Sequence, residues 1–443
     1  MKTVIMAGGK GTRISSVASD IPKPMIKIEG IPVLEREIEC LRDQGFDDII
    51  ITVSHLGNII MDYFGDGSGK SPATGKKFNV HIEYYFEKEP LGNAGALFKI
   101  KDKLTSDFLL LNADAMFDVD FNRFVNFHQK HGGLVTLFTH PNSHPYDSGL
   151  IITDSSGTVK KWLAKEDERP QYYRNCVNAG LHVINPKVLE ISGIDADSVG
   201  KSGANGKNVK VDLDRQLLKP LAGTGKMFCY DSPEYVKDMG TPDRYRSVCN
   251  DFIDGRVSEK NLKNKQKAIF LDRDGTINKY VGFLRNIDDF ELINGVAAAI
   301  RKINESGYLT IVVTNQPVLA RGEVSFEELE EVHNKMETLL GKEGAYLDAI
   351  YYCPHHPDRG YEGERSELKI NCECRKPKPG MLLKAAEDFN IDLSQSWMIG
   401  DGENDIRAGI NAGCKTVWIG TENKSYGQLT TVKSLSEFVN QWI

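Results

Sequence analysis

Residues 268–276 read Ala-Ile-Phe-Leu-Asp-Arg-Asp-Gly-Thr. The four apolar residues predict a short buried strand. Asp272 and Asp274 follow at its carboxyl end, before a Gly-Thr turn. Side chains alternate along a strand, so acids two apart are expected to point the same way. Like charges held together repel, so the pair calls for a cation or a proton. Three more polar groups stand at or beside later predicted elements: Thr314-Asn315, Arg375-Lys376 and Gly400-Asp401-Gly-Glu-Asn-Asp405. Together they supply the parts of phosphoryl transfer. Asp272 is the expected nucleophile, and Asp274 the acid and base. Asp401 adds an oxygen for Mg²⁺, and Thr314 and Lys376 neutralise the transferring oxygens.

A second constellation opens the chain, where Ala7-Gly-Gly-Lys-Gly-Thr-Arg13 follows a predicted strand. Glycines 8, 9 and 11 let backbone N–H groups approach a polyphosphate, and Lys10 and Arg13 add positive charge. The spacing is neither the Rossmann nor the Walker pattern. Pro22-Lys23-Pro24-Met25 presents a lysine fixed between two prolines. Glu89-Pro-Leu-Gly-Asn-Ala-Gly-Ala96 is a turn that opens a helix, and Leu109-Leu-Leu-Asn-Ala-Asp114 a buried strand ending in an acid.

A third group is Cys353-Pro-His355 with Cys372-Glu-Cys374, joined by a polar loop. Three cysteines and a histidine can close a tetrahedral site with no open position, which makes a zinc there structural. His356 is the alternative histidine. A disulfide between cysteines two apart meets the bond geometry poorly.

The elements that must position these groups alternate. Strands are predicted at 4–7, 49–54, 108–112 and 134–139, and helices at 32–44, 94–101 and 121–130. Residues 150–153 and 159–163 are expected to form an antiparallel pair. Segment 251–266 is polar and charged and is expected to connect two domains, 1–250 and 267–443. The alternation then restarts, with strands at 269–272, 309–314, 349–352, 397–401 and 416–419, and helices at 295–306, 325–340 and 381–389. Such alternation predicts two doubly wound α/β domains with mostly parallel sheets. The 443 residues carry a formal charge of −7 and are 40 % apolar. That balance gives no basic excess for nucleic acid. No apolar run reaches a membrane span. With no export signal, a cytoplasmic location is expected, and the composition leaves a homo-oligomer open.

Lys267 to Gly420 resembles the haloacid dehalogenase superfamily of phosphotransferases. The resemblance implies Asp272, Asp274 through its carbonyl, and Asp401 around Mg²⁺, with Asp405 in support. Cys-x-His followed by Cys-x-Cys-Arg-Lys-Pro-x-Pro-Gly-Met is similar to the heptose 1,7-bisphosphate 7-phosphatases, with the histidinol-phosphate phosphatases as rivals. This implies Zn²⁺ on Cys353, His355, Cys372 and Cys374, and substrate contacts at Asn315 and Arg375. After Thr314-Asn-Gln316 that family has Ser-Gly-Ile, and this chain has Pro317-Val318-Leu319.

Residues 1–250 resemble the sugar-1-phosphate nucleotidyltransferases, including the heptose- and mannose-1-phosphate guanylyltransferases. Val177-Asn-Ala-Gly180 and Asp238-Met-Gly-Thr-Pro242 complete the pattern. The resemblance implies Mg²⁺ on Asp114 and Asp238, Arg13 and Lys23 on phosphates, and GTP as co-substrate. Gly8, Gly9, Gly11, Gly92 and Asn93 would face the nucleotide, and Lys165 and Asn178 the sugar. Ala164 stands where that family has Glu, with Glu166 nearby.

A nucleotidyltransferase needs an anomeric phosphate, and a phosphatase in the same chain must spare it. A sugar bisphosphate that loses its distal phosphate satisfies both. The expectation is therefore 7-dephosphorylation of a heptose 1,7-bisphosphate, then nucleotidyl transfer to heptose 1-phosphate. The alternatives are a mannose-1-phosphate guanylyltransferase joined to a histidinol-phosphate-like phosphatase, or one half acting as a non-catalytic binding module.

Overall fold

The computed structural model describes residues 1–9, 20–202, 208–422 and 424–443. Lys10, Gly11 and Arg13 lie outside the described residues. The chain divides into two compact units. Unit 1 comprises Met1–Thr139, Ile151–Trp162 and Asn178–Asn261, and unit 2 comprises His140–Leu150, Leu163–Val177 and Leu262–Ile443.

The first part of the chain supplies β1 (Thr3–Met6), a hairpin of β2 (Lys27–Ile28) and β3 (Ile31–Pro32), α1 (Val33–Arg42), β4 (Asp48–Val53), α2 (Gly57–Phe64), β5 (His81–Phe86), α3 (Gly95–Lys99) and β6 (Phe108–Asn112). It continues with β7 (Ala115–Asp118), α4 (Phe121–His131), β8 (Val135–His140), β9 (Leu150–Thr153), β10 (Val159–Leu163), β11 (Val177–Ile184), α5 (Lys187–Ile191), β12 (Met227–Asp231), β13 (Tyr235–Asp238), α6 (Pro242–Ile253) and α7 (Arg256–Glu259).

Seven strands form the main sheet, in the order β12-β8-β11-β6-β1-β4-β5. Strand β1 pairs in parallel with both β4 and β6, so the winding changes direction at β1, and Gly8 and Gly9 follow at its carboxyl end. The sheet is not wholly parallel, since β11 runs antiparallel to β6. Outside it, β13 pairs antiparallel with β7, setting Asp238 opposite Ala115 and next to Asp114. Helix α4 is closed at both ends. Asp120 accepts from the N–H groups of Asn122 and Arg123, and Gly132 takes the left-handed conformation at the other end.

Unit 2 contains β14 (Ala268–Leu271), α8 (Val296–Glu305), β15 (Leu309–Asn315), α9 (Pro317–Ala320), α10 (Phe326–Lys342) and β16 (Ala349–Cys353). It ends with α11 (Gly380–Phe389), β17 (Trp397–Gly400), α12 (Glu403–Ala412), β18 (Lys415–Ile419), β19 (Thr430–Val432) and α13 (Leu435–Trp442). Its sheet order is β16-β15-β14-β17-β18-β19, and every pair is parallel. Alternation assigns the two faces of β14. Ala268 and Phe270 join one buried cluster with Ile311, Val313 and Met398. Ile269 and Leu271 join the other, with Val312, Ile399 and Val417. A strand covered on both faces has to be apolar throughout, which is why four consecutive apolar residues predicted it. The chain winds outward from β14 in both directions, and ligands bind beyond the carboxyl ends at such a switch point.

Segment 251–266 is folded rather than a free connection. Val257 of α7 packs with Ile28, Met116 and Val248, and the Asn261 amide donates to Asp118 at 2.7 Å. Leu262 is buried with Phe270 and Met381. The division therefore falls between two buried residues.

Unit 2 also takes in residues 140–150 and 163–177, which adjoin helix α10. A capping box of Ser325 and Glu328 starts α10, and Leu329, Val332, Met336 and Leu340 form its apolar stripe. Thr338 lies among the buried polar residues of the helix. Its hydroxyl accepts from the Tyr173 N–H at 2.8 Å and donates to the Tyr173 carbonyl at 3.1 Å. The Asn175 N–H donates to Glu337 at 3.1 Å. Thr338→Val keeps the shape but leaves both polar groups of Tyr173 without this partner. Such groups cost about 1–3 kcal/mol each when buried. The expected outcome is a lower unfolding midpoint for unit 2, measured by denaturant titration of the full-length chain.

Candidate active sites

In unit 2 a cavity of about 230 Å³ is lined by Asp272, Asp274, Thr314, Asn315, Arg375, Lys376 and Asp401, together with Gln316, Asp405 and Phe283. These seven residues and the supporting acid Asp405, all expected there from the sequence, meet in one place. Strand β14 stops at Leu271, so strict alternation does not reach Asp274, and the two carboxylates engage different partners. The Lys376 ammonium contacts Asp272 Oδ1 at 2.7 Å and Asp405 Oδ1 at 2.5 Å, and donates to the Val313 carbonyl at 2.7 Å. Asn315 fixes the Lys376 backbone. Its side chain donates to the Lys376 carbonyl and accepts from the Lys376 N–H, both at 3.0 Å.

Asp274 is held by Arg273, whose Nη2 donates to both carboxylate oxygens at 3.0 and 2.8 Å. Asn278 and Gln316 each add a bond of 3.0 Å. Burial pushes the Asp274 carboxyl up, but the Arg273 guanidinium and these hydrogen bonds outweigh it and hold the group below its usual range. Burial pushes Asp272 up to about 7, with Lys376 opposing and Asp405 and Asp274 adding to the rise. Asp401 is pushed up to about 6, by burial and then by Asp405. Carboxylates this reluctant to ionise suit a divalent cation, which would neutralise them. Carboxylate oxygens of Asp272, Asp401 and Asp405 lie within 4.8 Å of one another and could hold it. Gly275, at φ +84°, permits the packing, since a Cβ there would lie 2.0 Å from an Asp401 oxygen. Arg273 and Gln316 were not anticipated. Their signal was position alone, one between the two acids and one after Thr314-Asn315.

The Cys353, His355, Cys372 and Cys374 donor atoms also cluster within 4.8 Å and could hold a metal ion. Their sulfur–sulfur distances are 3.2 to 3.5 Å, and His355 Nδ1 lies 3.3 Å from Cys374. Hydrogen bonding to Cys353 leads in pushing the Cys374 thiol down to about 5, so a thiolate is available to a metal. His356 does not join, and its Nδ1 accepts from the Asp358 N–H at 3.2 Å.

In unit 1 a cavity of about 920 Å³ is lined by Gly8, Gly9, Lys23, Gly92, Asn93 and Asp114, with Ser54, Glu87 and Lys210. Lys23 Nζ lies 2.7 Å from Asp114 Oδ2. Asp238 is absent from the lining, and its carboxylate is gripped by Arg244 at 2.9 and 2.8 Å. Gly92 is required for a reason other than close nucleotide approach. At φ +84° its Cβ would lie 2.3 Å from the Val211 carbonyl. Asn93 accepts from the Leu213 N–H at 2.8 Å, securing the same junction. Asn178 accepts from the Gly180 N–H at 3.2 Å and contacts His182 at 3.1 Å. Lys165 belongs to unit 2, where it pairs with Asp147 at 3.2 Å. Neither Asn178 nor Lys165 lines the unit 1 cavity. Glu87 and Lys210 were missed because no motif surrounds them.

Residues 2–254 match the nucleotidyl transferase family, and residues 373–440 the HAD-hydrolase-like family. A D-glycero-beta-D-manno-heptose-1,7-bisphosphate 7-phosphatase of Haemophilus ducreyi is 45 % identical over 152 residues, which are 34 % of this chain and 81 % of the relative. Among solved structures the chain is similar to HddC from Yersinia pseudotuberculosis complexed with GMP-PN, at 25 % identity and a TM-score of 0.45, over 57 % of this chain and 99 % of that one. It is also similar to D,D-heptose 1,7-bisphosphate phosphatase from B. bronchiseptica complexed with magnesium and phosphate, at 31 % identity and a TM-score of 0.35, over 40 % and 97 %. The chain belongs to the nucleotidyl transferase family through its first half and to the family of the Haemophilus phosphatase through its second. It is a nucleotidyltransferase and a phosphatase in one polypeptide. No described helix is long and apolar enough to cross a membrane.

Lys376→Met would leave Asp272 and Asp405 buried together without their shared cation. Loss of one preorganised charge donor costs on the order of 10²–10³ in turnover. Phosphate release from p-nitrophenyl phosphate by the full-length variant is expected to fall by that order, with nucleotidyl transfer retained.

Proposed function

We propose that the second half removes the 7-phosphate of D-glycero-D-manno-heptose 1,7-bisphosphate, and that the first half then transfers GMP from GTP to heptose 1-phosphate. One observation carries the reading. A chain 45 % identical in its phosphatase half to a heptose bisphosphate phosphatase also holds a nucleotidyltransferase, which consumes the kind of 1-phosphate that such a phosphatase leaves behind.

In the first reaction an Asp272 oxygen bonds to phosphorus as the bond from phosphorus to the C7 oxygen breaks, and Asp274, whose carboxylate Arg273 stabilises at rest, takes up a proton from solvent before giving it to that oxygen. Water then attacks the aspartyl phosphate, gives its proton to Asp274, and frees phosphate and Asp272. Lys376 and Thr314 balance charge on the transferring oxygens. Magnesium on Asp272, Asp401 and Asp405 would supply further positive charge there. In the second reaction a sugar phosphate oxygen bonds to the α-phosphorus and pyrophosphate leaves, so positioning and charge neutralisation suffice. Lys23 is the buried cation available for that charge, and Asp114 and Asp238 are the acids for a second magnesium. Glu87 supports guanine over other bases, because a carboxylate complements adjacent N–H donors. Burial holds its carboxyl above the usual range, so it gains from such a partner. Zinc is the fitting metal for the Cys₃His cluster.

The test supplies full-length protein with heptose 1,7-bisphosphate, GTP and Mg²⁺ and follows phosphate, pyrophosphate and nucleotide sugar. Asp272→Asn is expected to abolish phosphate release while preformed heptose 1-phosphate is still converted. Absence of phosphate release from C7 in the parent protein would refute the reading. For the metal, Cys374→Ala is expected to lose zinc by elemental analysis and to become sensitive to proteolysis between 353 and 376. A zinc-free parent protein would refute the assignment.

A further inference from the structure

Arg321 caps the carboxyl end of helix α9, in an Ala-Arg-Gly segment that the catalytic assignment leaves without a role. Arg321 is only 8 % exposed. Its guanidinium carbon lies 4.0 Å from the centre of the Phe283 ring and 4.5 Å from that of Tyr361, so aromatic faces flank it. Its Nε is buried and has no hydrogen-bond partner. Two neighbouring cations are matched. Arg285 pairs with Glu323 at 2.9 Å, and Lys369 with Glu364 at 3.3 Å. Among the described residues no carboxylate comes within ion-pair range of Arg321.

A nearly buried, unpaired cation is unfavourable, and ring faces offset only part of the lost solvation. The position relates it to the phosphatase cavity. Phe283, which carries the guanidinium, lines that cavity, as does Val318 one helical turn before Arg321. The backbone here is also fixed. The Arg365 N–H donates to the Ala320 carbonyl at 3.0 Å, and a Cβ on Gly322 would lie 1.8 Å from the Gly363 carbonyl.

We propose that Arg321 is a specificity-determining residue that receives the second phosphate of a sugar bisphosphate while the first is cleaved at Asp272. The inference rests on the bisphosphate reading given above. The reacting phosphate already has Lys376 and Thr314, whereas the spared phosphate needs cations of its own, and Arg321 would add to Arg375, which lines the cavity. A guanidinium packed against two aromatic rings has less freedom, and its forked N–H groups match phosphate oxygens.

The experiment measures kcat/KM of the full-length parent, Arg321→Met and Arg321→Lys on heptose 1,7-bisphosphate and on heptose 7-phosphate. The expected result is a fall of about 10- to 100-fold in the bisphosphate-to-monophosphate ratio for Arg321→Met, expressed in KM, the range of one or two charge-assisted bonds. Arg321→Lys, which keeps the charge without the fork, is expected to retain an intermediate ratio. A purely structural staple between the two rings would lower both substrates together and leave the ratio intact, and that result overturns the proposal. If the parent hydrolyses both esters and the ratio survives in both variants, the Arg321 assignment alone fails. If the parent hydrolyses neither, the bisphosphate reading fails and takes this one with it.

Discussion

The buried ammonium of Lys376 is the interaction on which the phosphatase unit depends. It touches Asp272 beyond β14, the Val313 carbonyl in β15 and Asp405 in the first turn of α12. Two carboxylates packed together in a dry site would otherwise oppose folding. One cation lets three elements converge there. Its own placement has two sources. Asn315 clamps its backbone on one side, and Cys374, two residues earlier, belongs to the Cys₃His cluster on the other. A polar loop with no core of its own thus delivers the residue that must be placed most accurately. A metal ion ligated by the cluster would be a physical substitute for the missing core.

The nucleotidyltransferase unit uses the same device less deeply. Lys23 neutralises Asp114, and Arg244 neutralises Asp238. In both units, acids that could hold a cation rest on basic side chains of the same chain. The burial is unequal. Asp272 is almost inaccessible, whereas Asp114 is half exposed at the mouth of a larger cavity. That difference suits the two chemistries. A small phosphate ester fits a tight, largely dry site, while a nucleoside triphosphate needs room to enter.

Much of this was legible in the sequence, for definite reasons. Apolar runs such as 268–271 and 311–313 are covered on both faces, so composition marks them as buried strands. Polar groups at their ends then fall together because the sheet winds outward from its first strand. Other features had no local signal. Asp238 reaches Asp114 only through the β13–β7 pairing, which no periodicity in either short strand announces. Gly92 is expected at the nucleotide from the family resemblance and lines the cavity, and the Val211 carbonyl across from it gives a further reason, unreadable in the sequence, for excluding a side chain. Arg273 reads as a spacer between two acids until the fold turns its guanidinium back onto Asp274. Segment 251–266 reads as a linker because its charges are many, while Val257 and Leu262 are few but buried. The expected boundaries also missed that residues 140–150 and 163–177 pack with the second unit, since packing partners far along the chain leave no trace in a local window.

That last feature bears on how the chain is made. The N–H and C=O of Tyr173 find their partner in Thr338, 165 residues later. At bacterial or eukaryotic rates of synthesis, that stretch takes on the order of 10–30 s to emerge. Through that interval the segment around Tyr173 is made without the partner that satisfies its backbone. The two enzymes therefore do not mature as independent beads on a string. Part of the earlier sequence completes its folding only when the later sequence has arrived.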